Sequence, residues 1–279
     1  MKKKKEKEIL NIMYSNIQGV TKKKESLLHI MDELDIDICL LAETMTNSVK
    51  IAGCRCFTAN KSIGQNVCII IRNRLIDNDI IKLFEPNETI NLIGIRLEMM
   101  NSCIRIYTAH LKQQSVSTRD EITAQFDELK KQFQDAIKCN EGMLIVFDAN
   151  VHIGKEIITG GIEEQDWGGK ELMKLVKDEN LVVLNTKDLC SGIITRIDPR
   201  YGTGTTIDLA ISNQFLVEKV FEMKIDEKEA FKPTNYTPIL KKTDHNTITL
   251  KVKVDRCPKK KPQPYINLKD IDGKIAFKE

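Results

Sequence analysis

Five polar signatures, each placed where an apolar, strand-like run ends, constrain this chain more than anything else in it. They are Asn16 in Y-S-N-I-Q-G, Glu43 in L-L-A-E-T, Asp148-Ala-Asn150, Asp208 in T-I-D-L, and Thr243-Asp244-His245. An apolar run supplies a rigid buried strand, and its polar end projects a side chain at a fixed position into the groove beside the sheet. Singly, these residues have ordinary readings: Asn16 and Gln18 as turn formers, Asp148-Ala-Asn150 as an Asx-turn, Asp244-His245 as a turn before the last strand. Glu43 and Asp208 are less routine, because a carboxylate beside or inside a buried run needs a partner or a task. The constellation is more specific than its members.

At 279 residues, with 41% hydrophobic and 30% charged, the chain can bury one large core or two modest ones. Its eight cysteines are scattered, with no C-x-x-C pair, and it has only four histidines, which argues against a zinc site and for reduced thiols. The N-terminus M-K-K-K-K-E-K-E has no apolar stretch behind it long enough for a signal peptide, and no run is long enough to cross a bilayer, so no membrane role is required. With 43 basic and 40 acidic residues, nucleic-acid binding does not follow from net charge and any basic face must come from local clustering. Such clusters sit at the ends, in Lys2 to Lys5 and in the Lys- and Pro-rich segment from Arg256 to Pro264. They read as a nuclear-import signal, a phosphate-contacting arm, or solvated termini.

Three regions follow: a basic tail at 1–7, one domain at 8–255, and a basic linker with a truncated segment at 256–279. Strand-like segments run near 9–15, 36–42, 67–72, 90–97, 103–108, 143–148, 181–184, 206–211 and 246–254. Helical spacing occurs at Leu27, Ile30, Met31 and Leu34, at Ile122, Phe126, Leu129, Phe133 and Ile137, and at Leu172, Leu175 and Val176. Strands that outnumber singly inserted helices predict two packed mixed sheets flanked by helices, an α/β architecture. The loop from Gly154 to Gly169 is Gly-rich but lacks G-K-[ST], which excludes a phosphate-cradling loop of that type. Trp167 in that loop reads as a nucleic-acid wedge or as a cap on the core, and Lys112, Lys155 and Lys170 as cleft-flanking or solvated.

The residue types fit one chemistry. A phosphodiester is a poor electrophile because its anionic oxygens repel a nucleophile, so hydrolysis needs a divalent ion and positive donors. Carboxylate and amide oxygens suit Mg²⁺, which points to Glu43 with Asn16. Asp148 can take a proton from water, and Asn150, two residues on, is expected on the same side to hold that water or a phosphate oxygen. A histidine held by a carboxylate becomes a fixed, often cationic donor, and Asp208 with His245 can form that pair.

Over about residues 8–254 the set resembles the endonuclease/exonuclease/phosphatase superfamily, in that family's order. The resemblance implies a four-layer α/β/β/α, DNase I-like sandwich with a Mg²⁺ (or Mn²⁺) site at one rim. It also adds Tyr107 in I-Y-T-A-H as a catalytic residue, Thr195 in I-I-T-R as a substrate-binding one, and Asp244 as a metal ligand. From Asp148 onward, D-A-N-V-H-I-G, Gly160-Gly161, E-Q-D-W-G-G-K, L-V-V-L-N-T and T-R before T-I-D-L are similar to the apurinic/apyrimidinic-type endonuclease domain of LINE-type (non-LTR) retrotransposon polyproteins. This implies a metal-dependent endonuclease that nicks DNA, expected to be duplex, and leaves a 3′-hydroxyl; a nuclear location is expected, with a cytoplasmic one as the alternative. Three positions depart from the pattern. Phe147-Asp148-Ala149-Asn150 stands where relatives carry G-D-F-N, and Gln18 where some DNA-repair relatives have an acid. His110, taken as substrate-binding, is similar to DNase I-like and sphingomyelinase-like members. Alternatives are a phosphodiesterase or phosphatase acting on RNA, a phosphoinositide or a sphingolipid, and a non-cutting nucleic-acid or partner-binding remnant. No oligomeric state follows from the sequence.

Overall fold

Period-two burial along the strands sorts the core into three slabs. The computed structural model describes residues 8–59, 66–76, 82–84, 90–99, 101–158, 163–234 and 243–255. The proposed basic tail at 1–7 and the linker at 256–279 lie outside these, as do Gly160 and Gly161. In chain order the elements are β1 (Glu8–Asn16), α1 (Lys24–Glu33), β2 (Ile38–Ala42), β3 (Cys54–Thr58), β4 (Cys68–Arg72), α2 (Asn73–Ile76), β5 (Lys82–Phe84), β6 (Asn91–Glu98) and β7 (Cys103–His110). They continue with α3 (Arg119–Lys138), β8 (Gly142–Asp148), α4 (Trp167–Asp178), β9 (Val182–Val183), β10 (Cys190–Ser191), β11 (Arg196–Ile197), β12 (Gly204–Thr205), β13 (Asp208–Ser212), α5 (Gln214–Val217), β14 (Val220–Ile225) and β15 (Ile248–Val254). One sheet has the order β10-β14-β15-β1-β2-β4-β3, the other β5-β6-β7-β8-β13-β9, and β11-β12 form a separate ribbon. Both large sheets are mixed: β1 runs parallel to β2 and antiparallel to β15, and β7 parallel to β8 but antiparallel to β6.

Leu10, Ile12 and Tyr14 of β1, Ile38 and Leu40 of β2, Ile104 and Ile106 of β7, Leu144 and Val146 of β8, and Ala210 of β13 fill the slab between the sheets. The alternate residues face outward under helices. Met13, Cys39 and Leu41 meet Leu27, Ile30 and Met31 of α1. Tyr107, Met143, Ile145, Phe147 and Leu209 meet Phe126, Leu129 and Phe133 of α3 and Leu172 of α4. The result is the α/β/β/α sandwich expected from the sequence. Burying a side chain of this size is worth roughly 1.5–3 kcal/mol. A one-residue register slip would exchange the two faces of a strand and forfeit several such terms at once.

The helices begin and face as their sequences dictate. Thr118 and Glu121 form a reciprocal capping box at the start of α3, and the Asp166 carboxylate accepts from Gly169 N at the start of α4. Trp167 is therefore the first residue of α4 rather than a loop residue. It packs partly buried on the outer core, with the Arg119 guanidinium 5.1 Å from its ring centroid, as the core-capping reading expects. Lys112 and Lys155 are paired with Glu121 and Glu164.

The sequence reading missed β3, β5, β10, β11, β12 and β14. β10, β11 and β12 are two residues long, too short for any period to show. β14 pairs with β15 through a bulge between Val220 and Glu222, and the inserted residue breaks the alternation by which a strand is recognised.

Candidate active site

The parity that buries the strands also sets their polar ends. Asn16 continues the inward series Leu10, Ile12, Tyr14; His110 continues Ile104, Ile106; Asp148 continues Leu144, Val146; and Asp208 precedes Ala210. Register then aligns them. Asp148 stands opposite His110 on one side and Asp208 on the other, and Asn16 stands opposite Ala42, the residue before Glu43. All are thus delivered to one rim of the inter-sheet slab.

Beyond the strand ends the backbone turns left-handed at Gln18 (φ 46°), Glu43 (φ 52°) and Asn150 (φ 49°). Such conformations cost side-chain-bearing residues energy and persist where surrounding bonds over-determine them. Here the bonds are Ile17 N to Ala42 O (3.0 Å), Gly19 N to Glu43 O (2.8 Å) and Val20 N to Thr44 O (3.1 Å), which carry the β1/β2 pairing on into the loops. On the other side, Thr243 Oγ1 donates to Asn16 O at 2.6 Å and Asn246 N to Thr195 O at 2.6 Å, docking the segment that brings in His245.

Side-chain bonds close the site. Asn16 Nδ2 donates to Glu43 Oε1 (2.8 Å) and to Asp148 Oδ2 (3.0 Å). His110 Nε2 lies 3.3 Å from Glu43 Oε1 and 3.8 Å from Asp148 Oδ2. His245 Nδ1 is 2.7 Å from Asp208 Oδ2, the pairing expected from the sequence. Its Nε2 faces the rim, 3.9 Å from Asp148 Oδ2 and 3.7 Å from Asp244 Oδ1. Tyr14, which the sequence reading passed over, donates its hydroxyl to Asp208 Oδ1 at 2.9 Å. Its position two residues before Asn16 on an alternating strand was the available signal.

Burial and neighbouring charge set the protonation. Burial opposes charge on His245, but Asp208 and then Asp148 outweigh it and lift the imidazole to about 9. Burial would likewise raise Glu43, yet bonds from His110 and Asn16 hold it at about 2. Asp148 is lifted to about 6 by its burial and the Asp208 charge, against the pull of His245 and His110. Burial and Asp208 keep Tyr14 protonated, its pKa well above that of an ordinary tyrosine.

Four residues are placed differently from what the sequence suggested. Tyr107 is on the opposite face of β7 from His110: it is fully buried under α3, with its hydroxyl donating to Gln132 Oε1 at 3.1 Å, and it does not reach the rim. Thr195 is also fully buried; its Oγ1 accepts from Ile207 N (3.0 Å) and Asp208 N (2.9 Å), so it positions the start of β13 instead of touching substrate. Asn150 is not on the strand with Asp148, because β8 ends at Asp148 and the chain turns. Asn150 N donates to Asp148 Oδ1 (3.0 Å) and its Nδ2 to Leu111 O (2.7 Å). Asp244 accepts at Oδ1 from Gln18 Nε2 and at Oδ2 from Arg196 Nε (2.9 Å), and it stands outside the two groups of clustered ligand atoms described below. Arg196 arrives on a two-residue strand, and the sequence carried no signal for its partner.

Among the described residues, ligand atoms within 4.8 Å of one another are offered by Glu43, His110 and Asp148, and by Asp148, Asp208 and His245. In the second group Asp208 is already committed to His245 Nδ1. The first group fits a divalent ion better, because Asn16, 0% exposed, leaves its Oδ1 buried without a hydrogen-bond partner beside the same two carboxylates. A cavity of about 330 Å³ opens beside the rim, lined among others by Gln113, Asn150, His152, Glu163 and Arg196. Another, of about 690 Å³, lies far from this chemistry against Lys224, Thr249 and Lys251.

No protein-family model matches the chain, and no curated protein matches it in sequence. Solved structures do match. The endonuclease domain of TRAS1, a telomere-specific non-LTR retrotransposon, is 14% identical over 89% of this chain and 100% of that one, with a TM-score of 0.64. The AP endonuclease LMAP from Leishmania major is 11% identical over 88% of each chain, TM-score 0.65. An endonuclease/exonuclease/phosphatase family protein from Bacteroides thetaiotaomicron is 11% identical over 90% of this chain and 99% of that one, TM-score 0.63. The chain therefore has the endonuclease/exonuclease/phosphatase fold. At its rim it carries a cluster of acidic residues and histidines able to hold a divalent ion.

Proposed function

We propose that this chain is a divalent-metal-dependent DNA endonuclease, of retrotransposon derivation, that nicks duplex DNA by attack of water on a phosphodiester and leaves a 3′-hydroxyl. The observation that carries the reading is the pairing of a raised carboxyl, Asp148, with the cationic His245 that Asp208 and Tyr14 hold in place, 3.9 Å apart at one rim. Asp148, lifted to about 6 in the metal-free chain, is ionised at neutral pH and stands at the rim as the acceptor for the proton of an attacking water. His245 presents its Nε2–H, as a fixed charged donor, to a phosphate oxygen whose negative charge grows in the transition state. Asn150 gives one amide hydrogen to Leu111 and retains the other for the water or the phosphate. Glu43, Asn16, His110 and Asp148 would hold the ion, which when bound offsets charge on the phosphoryl oxygens. The DNA substrate is supported by the nucleases among the matching structures, and a nuclear site of action by the lysine-rich runs at both ends of the chain.

Nicking of supercoiled plasmid with and without Mg²⁺ or Mn²⁺, beside RNA, sphingomyelin and phosphoinositide substrates, tests the reading. Metal-dependent conversion to open circle, with the lipids untouched, is expected. One residue favours a rival, since His110 is similar to the histidine of DNase I-like and sphingomyelinase-like members; hydrolysis confined to lipid or RNA would move the assignment there.

A further inference from the structure

The ion-binding groups of this chain are not an all-oxygen set. Asp244 stands outside the clustered ligand atoms, whereas Glu43 and Asp148 each bring a carboxylate oxygen within 4.8 Å of the other and of His110. The remaining donor within reach of both is a nitrogen, His110 Nε2, at 3.3 and 3.8 Å from their oxygens, on a side chain only 3% exposed. The fourth group is the Asn16 amide, which lies between the two carboxylates. Its NH₂ donates to both, and its oxygen is buried with no partner. Turned over, that amide would set its oxygen toward two carboxylates, an arrangement repulsive on its own and favourable only with a shared cation. Mg²⁺ prefers oxygen and water ligands, a preference Mn²⁺ shares, whereas imidazole nitrogen suits first-row ions such as Fe²⁺, Ni²⁺ and Zn²⁺.

From this geometry we infer that His110 is a metal ligand, and that the site selects an imidazole-accepting first-row divalent ion over Mg²⁺. The inference rests on the metal-dependent reading above and deepens it by naming the class of ion. It also gives His110 a task other than substrate contact.

The test is made on the metal-stripped full chain, with Mn²⁺ as the probe and no turnover required. Mn²⁺ is titrated by electron paramagnetic resonance, Mg²⁺ is added as competitor, and pulsed measurements read the hyperfine coupling of a directly bound nitrogen. One tight Mn²⁺ is expected, with a ¹⁴N coupling that becomes a ¹⁵N coupling when the histidines are labelled, a readout that needs no variant to fold. Displacement by Mg²⁺ is expected to need more Mg²⁺ in the wild type than in His110→Asn. In His110→Asn the nitrogen coupling should vanish and the preference shift toward Mg²⁺, with the circular dichroism unchanged; in His245→Ala the coupling should persist. Absence of nitrogen coupling in the labelled wild type, its loss in His245→Ala alone, or displacement by equimolar Mg²⁺ each overturns the inference. Plasmid nicking is scored separately. Nitrogen-coupled Mn²⁺ without DNA cleavage sinks the endonuclease reading alone, and cleavage without the coupling sinks this one alone.

Discussion

Asp148 and His245 are the residues on which the chemistry converges. Asp148→Asn removes the group that accepts a proton, and His245→Ala the donor to the phosphate, without emptying the inter-sheet core. Each is expected to lower nicking on the order of 100-fold or more with the fold retained, as initial rates beside circular dichroism will read. Wild-type turnover in folded Asp148→Asn would remove that residue from the mechanism. The Asp208–His245 pair also makes a stability prediction for the metal-free chain. Its folded pKa of about 9 exceeds the ordinary 6.5, so the pair's contribution is complete below about 6.5 and is lost as pH rises through about 9. The full effect is on the order of 3 kcal/mol. Denaturant midpoints should therefore fall between those pH values, and Asp208→Asn should flatten that fall and move the imidazole titration, followed by NMR, downward. A pH-independent midpoint in the wild type would sink the assignment.

At the scale of elements, the strands matter because their two faces do different work. Tyr107 belongs to the helix-facing side of β7 and packs over Gly94 of β6, where an added Cβ would come within 2.3 Å of the tyrosine ring. Gly94→Ala should therefore destabilise the protein by about 1–3 kcal/mol through overpacking, visible in the unfolding midpoint. Tyr107→Phe should leave nicking within about twofold of wild type, since it removes a hydroxyl that faces α3 and bonds to Gln132 on the side of β7 away from the rim. A 100-fold loss in the Phe variant would restore Tyr107 to the site. At the start of α3, Thr118→Ala breaks the capping box; a loss of about 1 kcal/mol with unchanged activity is expected from urea unfolding.

At the scale of the whole molecule, charge is nearly balanced, and Lys112 and Lys155 near the site are paired with acids. Duplex binding in the absence of metal should still weaken steeply with salt, the log–log slope counting the phosphates contacted. Salt-insensitive binding would point to a small headgroup ligand instead. Much of this architecture was legible beforehand. The apolar runs ending at Asn16, Ala42 and Asp148 announced both the strands and the rim, because a buried strand must be apolar and its polar residue can only lie at an end. The same alternation placed Tyr14 with Asn16 and set Tyr107 apart from His110, although the resemblance of I-Y-T-A-H suggested otherwise. Which strand end met which was decided by the sheet order, since β1 pairs with both β2 and β15, hundreds of residues apart at the extreme. Only tertiary structure could close both oxygens of Asp244 with Gln18 and Arg196, bury Thr195 beneath the start of β13, and turn Asn150 out of line with Asp148. Hydrophobic period is a local property written along the chain, whereas a carboxylate's partners depend on long-range pairing and on left-handed turns that no local pattern encodes.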